Sequence, residues 1–262
     1  MERIQSKMNL LFIGDVVSQP GCNIIRQKLS NLKKEYQVDL VIANGENSAV
    51  GNGILPKSAD FLFDSGVDII TLGNHTFKRR EIYDYLEEHE HIIRPANYPS
   101  SVPGKGYCVY DMGRISVAVI NLIGQVYLDA NNCPFQAVDE ILKQLDTNII
   151  IVDFHGEATG EKGAMGYYLD GRVSAVLGTH THVQTADEQI LPQGTGFISD
   201  VGMTGPIQSI LGVAPDCIVR KMTTHLPTRF EVRDTPCMIN AVFLQIEEKS
   251  GHCALIQRLK IV

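Results

Sequence analysis

The stretch Gly178-Thr179-His180-Thr181-His182-Val183-Gln184 sets two imidazoles one residue apart, directly after the apolar, β-branched run at residues 173–177. Histidines leaving the end of a buried strand are held in place by it, and neutral imidazole is the commonest metal ligand among side chains. An isolated HxH is equally well explained by loop histidines bonded to backbone. This one has company. Asp15, Glu46, Asn47, Asn74, His75 and His155 each follow a hydrophobic run of the same kind, so oxygen and nitrogen donors gather on strand ends. Glycines 14, 45 and 73 stand just before three of these groups, and a residue without Cβ lets backbone approach an ion or a phosphate closely. The donors are more than one tetrahedral zinc needs, whereas two ions bridged by a carboxylate would use them all. Charge supports that count. Two divalent ions bring four positive charges; Asp15 and Glu46 return two, and a hydroxide with a phosphodiester returns the other two.

A repeating frame has to carry these groups. Residues 10–13 read as a strand, Pro20 opens a helix in which Ile24, Ile25, Leu29 and Leu32 recur at helical spacing, and residues 39–43 form the next strand. A helix around 59–63 ended by Gly66, a strand at 67–72 and a charged helix at 79–90 complete a βαβαβ pattern. Crossovers of this kind are right-handed and their strands parallel, so strand ends emerge along one edge of the sheet, where α/β proteins place their sites. Asp15, Glu46 and Asn74 lie about one βα unit apart along that pattern. The middle of the chain changes character. Residues 107–110 and 115–122 look like an antiparallel hairpin, a helix spans 137–145, and the continuous apolar run 149–154 reads as a strand buried on both faces that delivers His155. A short strand at 196–199 follows the HxH, then a Gly- and Pro-punctuated stretch from 202 to 215, and the alternation from 230 to 261 is enough for three strands. Two sheets packed face to face, each covered by helices, accommodate these elements in a single domain over 1–262.

Composition narrows the functional classes. With 262 residues, 44% hydrophobic and 20% charged, the chain is that of an ordinary soluble protein, and its net charge of −7 leaves no basic field for long nucleic acid. No apolar run reaches membrane-spanning length, and the polar residues 1–7 lack the core and cleavage pattern of a leader. Six cysteines are scattered without a CxxC, which reads as reduced core residues of a cytoplasmic protein. A homo-oligomer is left open.

The series Gly14-Asp15, Gly45-Glu46-Asn47, Gly73-Asn74-His75, His155 and Gly178-Thr179-His180-Thr181-His182 resembles the calcineurin-like metallophosphoesterases, and closely their bacterial YmdB-like branch. The resemblance continues through Phe12-Ile13-Gly14-Asp15-Val16-Val17, Arg94-Pro95-Ala96-Asn97, the residues from Gly178 to Asp187, and Asp200-Val201-Gly202-Met203-Thr204-Gly205-Pro206. It implies a four-layer αββα sandwich, in agreement with the two-sheet reading. Many members of the wider superfamily have Asp-x-His on the first strand and Gly-Asp-x-x-Asp after the second; here Asp15-Val16-Val17 and Gly45-Glu46-Asn47 stand instead, as in the branch that uses Asn for the missing imidazole.

The resemblance further implies Asp15, Glu46, Asn47 and His182 around one ion and Glu46, Asn74, His155 and His180 around the other, with Glu46 bridging. A carboxamide in place of an imidazole makes the first site harder and weaker, so iron, manganese and magnesium all fit. His75 is the candidate general acid, protonating the leaving oxygen while a metal-bound hydroxide attacks phosphorus in line. The expected activity is that of a phosphodiesterase on 2′,3′- or 3′,5′-cyclic or other small nucleotides. Two alternatives remain at this point: a metal- and nucleotide-binding regulatory or scaffold protein with little turnover, and another metallohydrolase such as an amidohydrolase, which also uses HxH. Arg94, Lys162 and Arg172 are candidates to meet a phosphate oxygen, as are Lys78, Arg79 and Arg80 beyond His75, and Glu157 and Thr159 are candidates to orient groups around the cleft or to cap a helix. His89-Glu90-His91, a second HxH on an acidic helix end, reads as a solvated terminus, and His225 and His252 read as structural.

Overall fold

A computed structural model describes residues 6–233 and 235–262; residues 1–5 of the polar N-terminal stretch lie outside it. The strand Lys7–Ile13 sends alternate side chains to opposite faces, and that alternation generates the layers. Leu11 and Ile13 pack with Ile25, Leu29, Leu62 and Leu86 from the helices Ser18–Glu35, Pro56–Asp64 and Ile82–Glu88. Met8, Leu10 and Phe12 point the other way, into a core shared with Val117, Val119, Ile151 and Leu177 of a second sheet. That sheet's far face, with Ile120, Val152 and Phe154, is covered by Val138 and Met165 of the helices Pro134–Leu142 and Thr159–Leu169. Three apolar seams between helices, sheet, sheet and helices are the expected αββα sandwich.

In the first sheet Lys7–Ile13, Leu40–Asn44, Ile69–Thr71 and Ile92–Ile93 run parallel, as the βαβαβ pattern requires, and Cys237–Glu247 pairs antiparallel with Lys7–Ile13. In the second, Ser116–Ile123, Ile149–His155, Ala175–Thr179 and Gly196–Ile198 run parallel, with Tyr107–Asp111 antiparallel at one edge. The C-terminal ends of Lys7–Ile13, Leu40–Asn44, Ile69–Thr71, Ile149–His155 and Ala175–Thr179 meet at the same rim.

The tail departs from expectation. Among the described residues it holds two strands, Cys237–Glu247 and Cys253–Ile261, not three. Residues 230–233 alternate in polarity but pair with no strand, and Pro236, which has no N–H to give to a ladder, precedes the first true strand. Ahead of it lies a helix, Pro215–Thr224, that the sequence reading did not assign; it has no buried residue, so no apolar stripe marks it. Among the described residues no helix is long and apolar enough to cross a membrane. Burial raises the thiols of Cys22, Cys108 and Cys253 to about 12, which keeps them protonated.

Candidate metal centre

Glu46 occupies the middle of the rim. Its backbone N–H donates to Asn44 Oδ1 at 3.2 Å, which turns the chain inward just past the strand. Oε1 accepts from Asn47 Nδ2 at 2.9 Å and lies 3.0 Å from His75 Nδ1; Oε2 accepts from the His75 backbone N–H at 2.9 Å and lies 3.5 Å from His155 Nε2. The two oxygens therefore face different groups. On the Oε1 side, His182 Nε2 is 3.2 Å from Asn47 Nδ2 and 3.8 Å from Asp15 Oδ1. On the Oε2 side, His155 Nε2 is 2.8 Å from Asn74 Oδ1 and 3.0 Å from His180 Nδ1. All the residues anticipated as ligands, and His75, converge here. Gly73 is obligatory at this spot, because a Cβ would overlap both Glu46 Oε2 and His155 Nε2.

Burial sets the protonation states. It pushes His155 down to about 3 and lowers His180 and His182, against the pull of Glu46 on all three, so these imidazoles stay neutral with a lone pair to give. Burial, with Glu46 and Asp200 nearby, raises Asp15 well above the carboxylate range. For Glu46 burial acts in the same sense but is outweighed by His155, His75 and the donors around it, which hold it low.

The HxH backbone is strained. His180 has φ 108° and His182 φ 64°, a left-handed region costing on the order of 1–3 kcal/mol per residue. Specific bonds hold it there: His180 N–H donates to Asp15 Oδ2 at 3.2 Å, Thr181 N–H to Asp200 Oδ2 at 3.0 Å, and His182 Nδ1 to the Leu211 carbonyl at 3.1 Å. Asp200 is fixed in turn by Lys162, 2.7 Å away, both side chains at most 2% exposed. Removing one partner of such a pair costs about 3–5 kcal/mol.

Lys162 is thus a buried strut and not a phosphate contact, a correction to the sequence reading. Arg94 is corrected likewise: it is buried and donates to the carbonyls of Pro95, Ala96 and Pro103. Arg172 pairs with Asp139 at 2.6 Å, away from the site. Arg79 gives its Nε to the Asn52 carbonyl and its Nη2 to those of Val50 and Gly51, tying down the turn beside Asn47. Glu157 reaches the centre, 3.1 Å from His180 Nε2. Thr159 begins a helix without a side-chain cap. His89 stacks on Tyr85, His91 packs against Tyr110, and His225 is the left-handed cap of Pro215–Thr224; none reaches the centre.

Sequence reading missed the layer beneath. His155 Nδ1 lies 2.9 Å from Thr179 Oγ1, and that hydroxyl donates to Asp153 Oδ1 at 2.7 Å. Asp153 also accepts from Thr71 Oγ1 at 2.5 Å and Asn44 Nδ2 at 3.0 Å, yet burial still raises it to about 7. A polar residue inside an otherwise apolar strand was the available signal, at Asp153 and again at Asn44 and Asn121.

A family model, YmdB-like protein, matches residues 11–259. The chain belongs to the YmdB-like family. It is 44% identical over 256 residues to a Bacillus subtilis protein named 2′,3′-cyclic-nucleotide 2′-phosphodiesterase, covering 97% of each. A protein of Thermus thermophilus has a crystal structure that superposes with TM-score 0.91 at 40% identity, over 97% of this chain and 98% of that one. Another, described as a novel phosphatase of Mycoplasma pneumoniae, superposes with TM-score 0.93 at 34% identity, over 99% and 95%. The YmdB-like chain has the expected sandwich and is of the expected class, a metal-dependent phosphoesterase. The amidohydrolase alternative falls, because the HxH leaves one of two open sheets and no eight-stranded barrel is present among the described residues.

Proposed function

We propose that this protein hydrolyses 2′,3′-cyclic and other small nucleotide phosphodiesters at a centre of two metal ions, one held by Asp15, Glu46, Asn47 and His182 and the other by Glu46, Asn74, His155 and His180, with Glu46 bridging. The observation that carries the reading is a meeting of acceptors without protons. Thr179 gives its own proton to Asp153 and so takes one from His155 Nδ1, which leaves His155 Nε2 bare; it then faces Asn74 Oδ1 at 2.8 Å and Glu46 Oε2 at 3.5 Å. A cation relieves that repulsion. Glu46, His155 and His180 bring their ligand atoms within 4.8 Å of one another, and across Glu46 the buried Asp15 Oδ1 has no hydrogen-bond partner. Donors of oxygen and imidazole nitrogen without thiolate suit iron, manganese or magnesium.

When bound, the ions supply Lewis acidity toward phosphoryl oxygens and lower the pKa of a water. The chain's own groups do the rest. Asn47 and His182 line the cavity of about 260 Å³ over the centre, and so does His75. His75 Nδ1 is fixed by Glu46 Oε1 at 3.0 Å and Asn47 Oδ1 at 2.9 Å. A ring held at Nδ1 presents Nε2 as the atom that gives a proton to the leaving oxygen. With Arg94, Lys162 and Arg172 all engaged elsewhere, no guanidinium or ammonium among them offsets the second charge of a monoester. Diesters are therefore the preferred substrates.

Steady-state kinetics on matched mono- and diesters and on 2′,3′- and 3′,5′-cyclic nucleotides, with metal-reconstituted protein, tests the reading. A higher kcat/KM for diesters than for monoesters with the same leaving group is expected. Preference for monoesters overturns the charge argument, and binding of nucleotide without turnover assigns the site to a regulatory role.

A further inference from the structure

A second cavity, of about 690 Å³, opens beside the one over the centre and shares Asn47, His182 and Leu211 with it. Its size is that of a small-molecule site. One wall is the turn at residues 49–52 that Arg79 clamps; the facing wall comes from residues 229–232, beyond the helix Pro215–Thr224. Phe230 stands in that wall 43% exposed, with the Lys221 ammonium 4.8 Å from its ring centroid. Arg79 and Arg229 border the same space without an ion pair among the described residues, and among those residues Glu231 is the one carboxylate in the lining. The cavity therefore offers an aromatic face and a basic rim, in a chain of net charge −7, one step from the proposed phosphate position. The cavity on the other side of His182, about 400 Å³, has Arg258 and Lys260 but no aromatic residue among its described lining.

We infer that the larger cavity receives the nucleoside of the substrate, its base stacked on Phe230 between the Arg79 and Arg229 rims, while the one anionic group, the phosphate to be cleaved, lies at Asn47 and His182. This rests on the reading of the centre as a nucleotide phosphodiesterase. Stacking on an aromatic ring tolerates every base, since each has a π-face. The cavity thus selects for the presence of a base and not for its identity.

The chain has no tryptophan, so Phe230→Trp installs a single fluorescent reporter in the wall. Titration of that variant with adenosine 3′-monophosphate should quench its emission saturably, and ribose 5-phosphate should not. Equal response to both, or response to neither, overturns the inference. In kinetics, Phe230→Ala should lower kcat/KM for adenosine 2′,3′-cyclic phosphate by about tenfold, chiefly through KM, in line with the loss of one stacked base. Phe230→Tyr should restore it, and Val219→Ala on the exposed helix should change nothing. An unchanged KM in Phe230→Ala, with wild-type turnover of the cyclic nucleotide intact, also overturns the inference. If the wild type turns over no cyclic nucleotide, the functional reading fails, and the fluorescence titration alone then decides whether a base occupies this cavity.

Discussion

The two sides of Glu46 differ in how one imidazole on each is held, His155 on the one and His182 on the other. On the Oε2 side, His155 is wholly buried at the end of a strand and braced from behind by Thr179 and by Asp153, which takes two further donors, Thr71 and Asn44, from strands of the facing sheet. On the Oε1 side, Asn47 and His182 sit on turns; His182 has a left-handed backbone and hangs from the carbonyl of Leu211, itself exposed and left-handed at φ 53°. The larger cavity opens on this second side, and the cavity over the centre spans both, reaching His180 and Glu157 as well as Asn47 and His182. In the proposed two-ion centre, His155 is placed by the core without regard to substrate, whereas His182 is placed by loops that also bound the substrate's path.

The largest effect belongs to the residue common to both sides. Glu46→Gln should abolish turnover and bring bound metal below two ions per chain by elemental analysis; a variant with two ions and normal turnover would dissolve the distinction between the sides. Next comes His75, anchored on the Oε1 side and proposed as general acid, outside the proposed ligand set. His75→Ala should keep its metal and lose about 10²- to 10⁴-fold in rate on diesters with poor leaving groups, with a smaller loss on nitrophenyl esters. A uniform loss across leaving groups, or loss of metal, would mean that His75 has a role other than general acid. The smallest effect sharpens the contrast. Thr179→Val removes the brace of His155 alone and should weaken metal at the Oε2 side by about 10- to 100-fold, read as a change in one of two dissociation constants by competition with a chelator. An equal weakening of both ions would mean that the sides are not independent.

How much of this was legible in the sequence follows the same divide. Asp15, Glu46, Asn74, His155 and the HxH could be read because each directly follows an apolar run, and a strand's end is fixed by the strand. The βαβαβ half and the hairpin were legible for the same reason, from periodicity that reflects burial on known faces. Asp153 was not, because a buried carboxylate inside a run such as 149–154 reveals itself only through Thr71, Asn44 and Thr179, which come from three other strands with no fixed spacing to it. Lys162 was misread since its partner Asp200 lies 38 residues away and arrives only when the second sheet forms. The region from 207 to 233 was the least legible: its helix buries nothing, and alternation at 230–233 imitates a strand that has no neighbour to pair with.

Under the proposed function, Glu46 joins two ions held by unequal sides. Anomalous diffraction from crystals of the metal-reconstituted wild-type protein tests it most directly. Two peaks about 3.5–4 Å apart are expected, each within bonding distance of one Glu46 oxygen, with the peak beside His155 and Asn74 at fuller occupancy than the peak beside Asn47 and His182. A single peak, or two peaks of which only one touches Glu46, would contradict it.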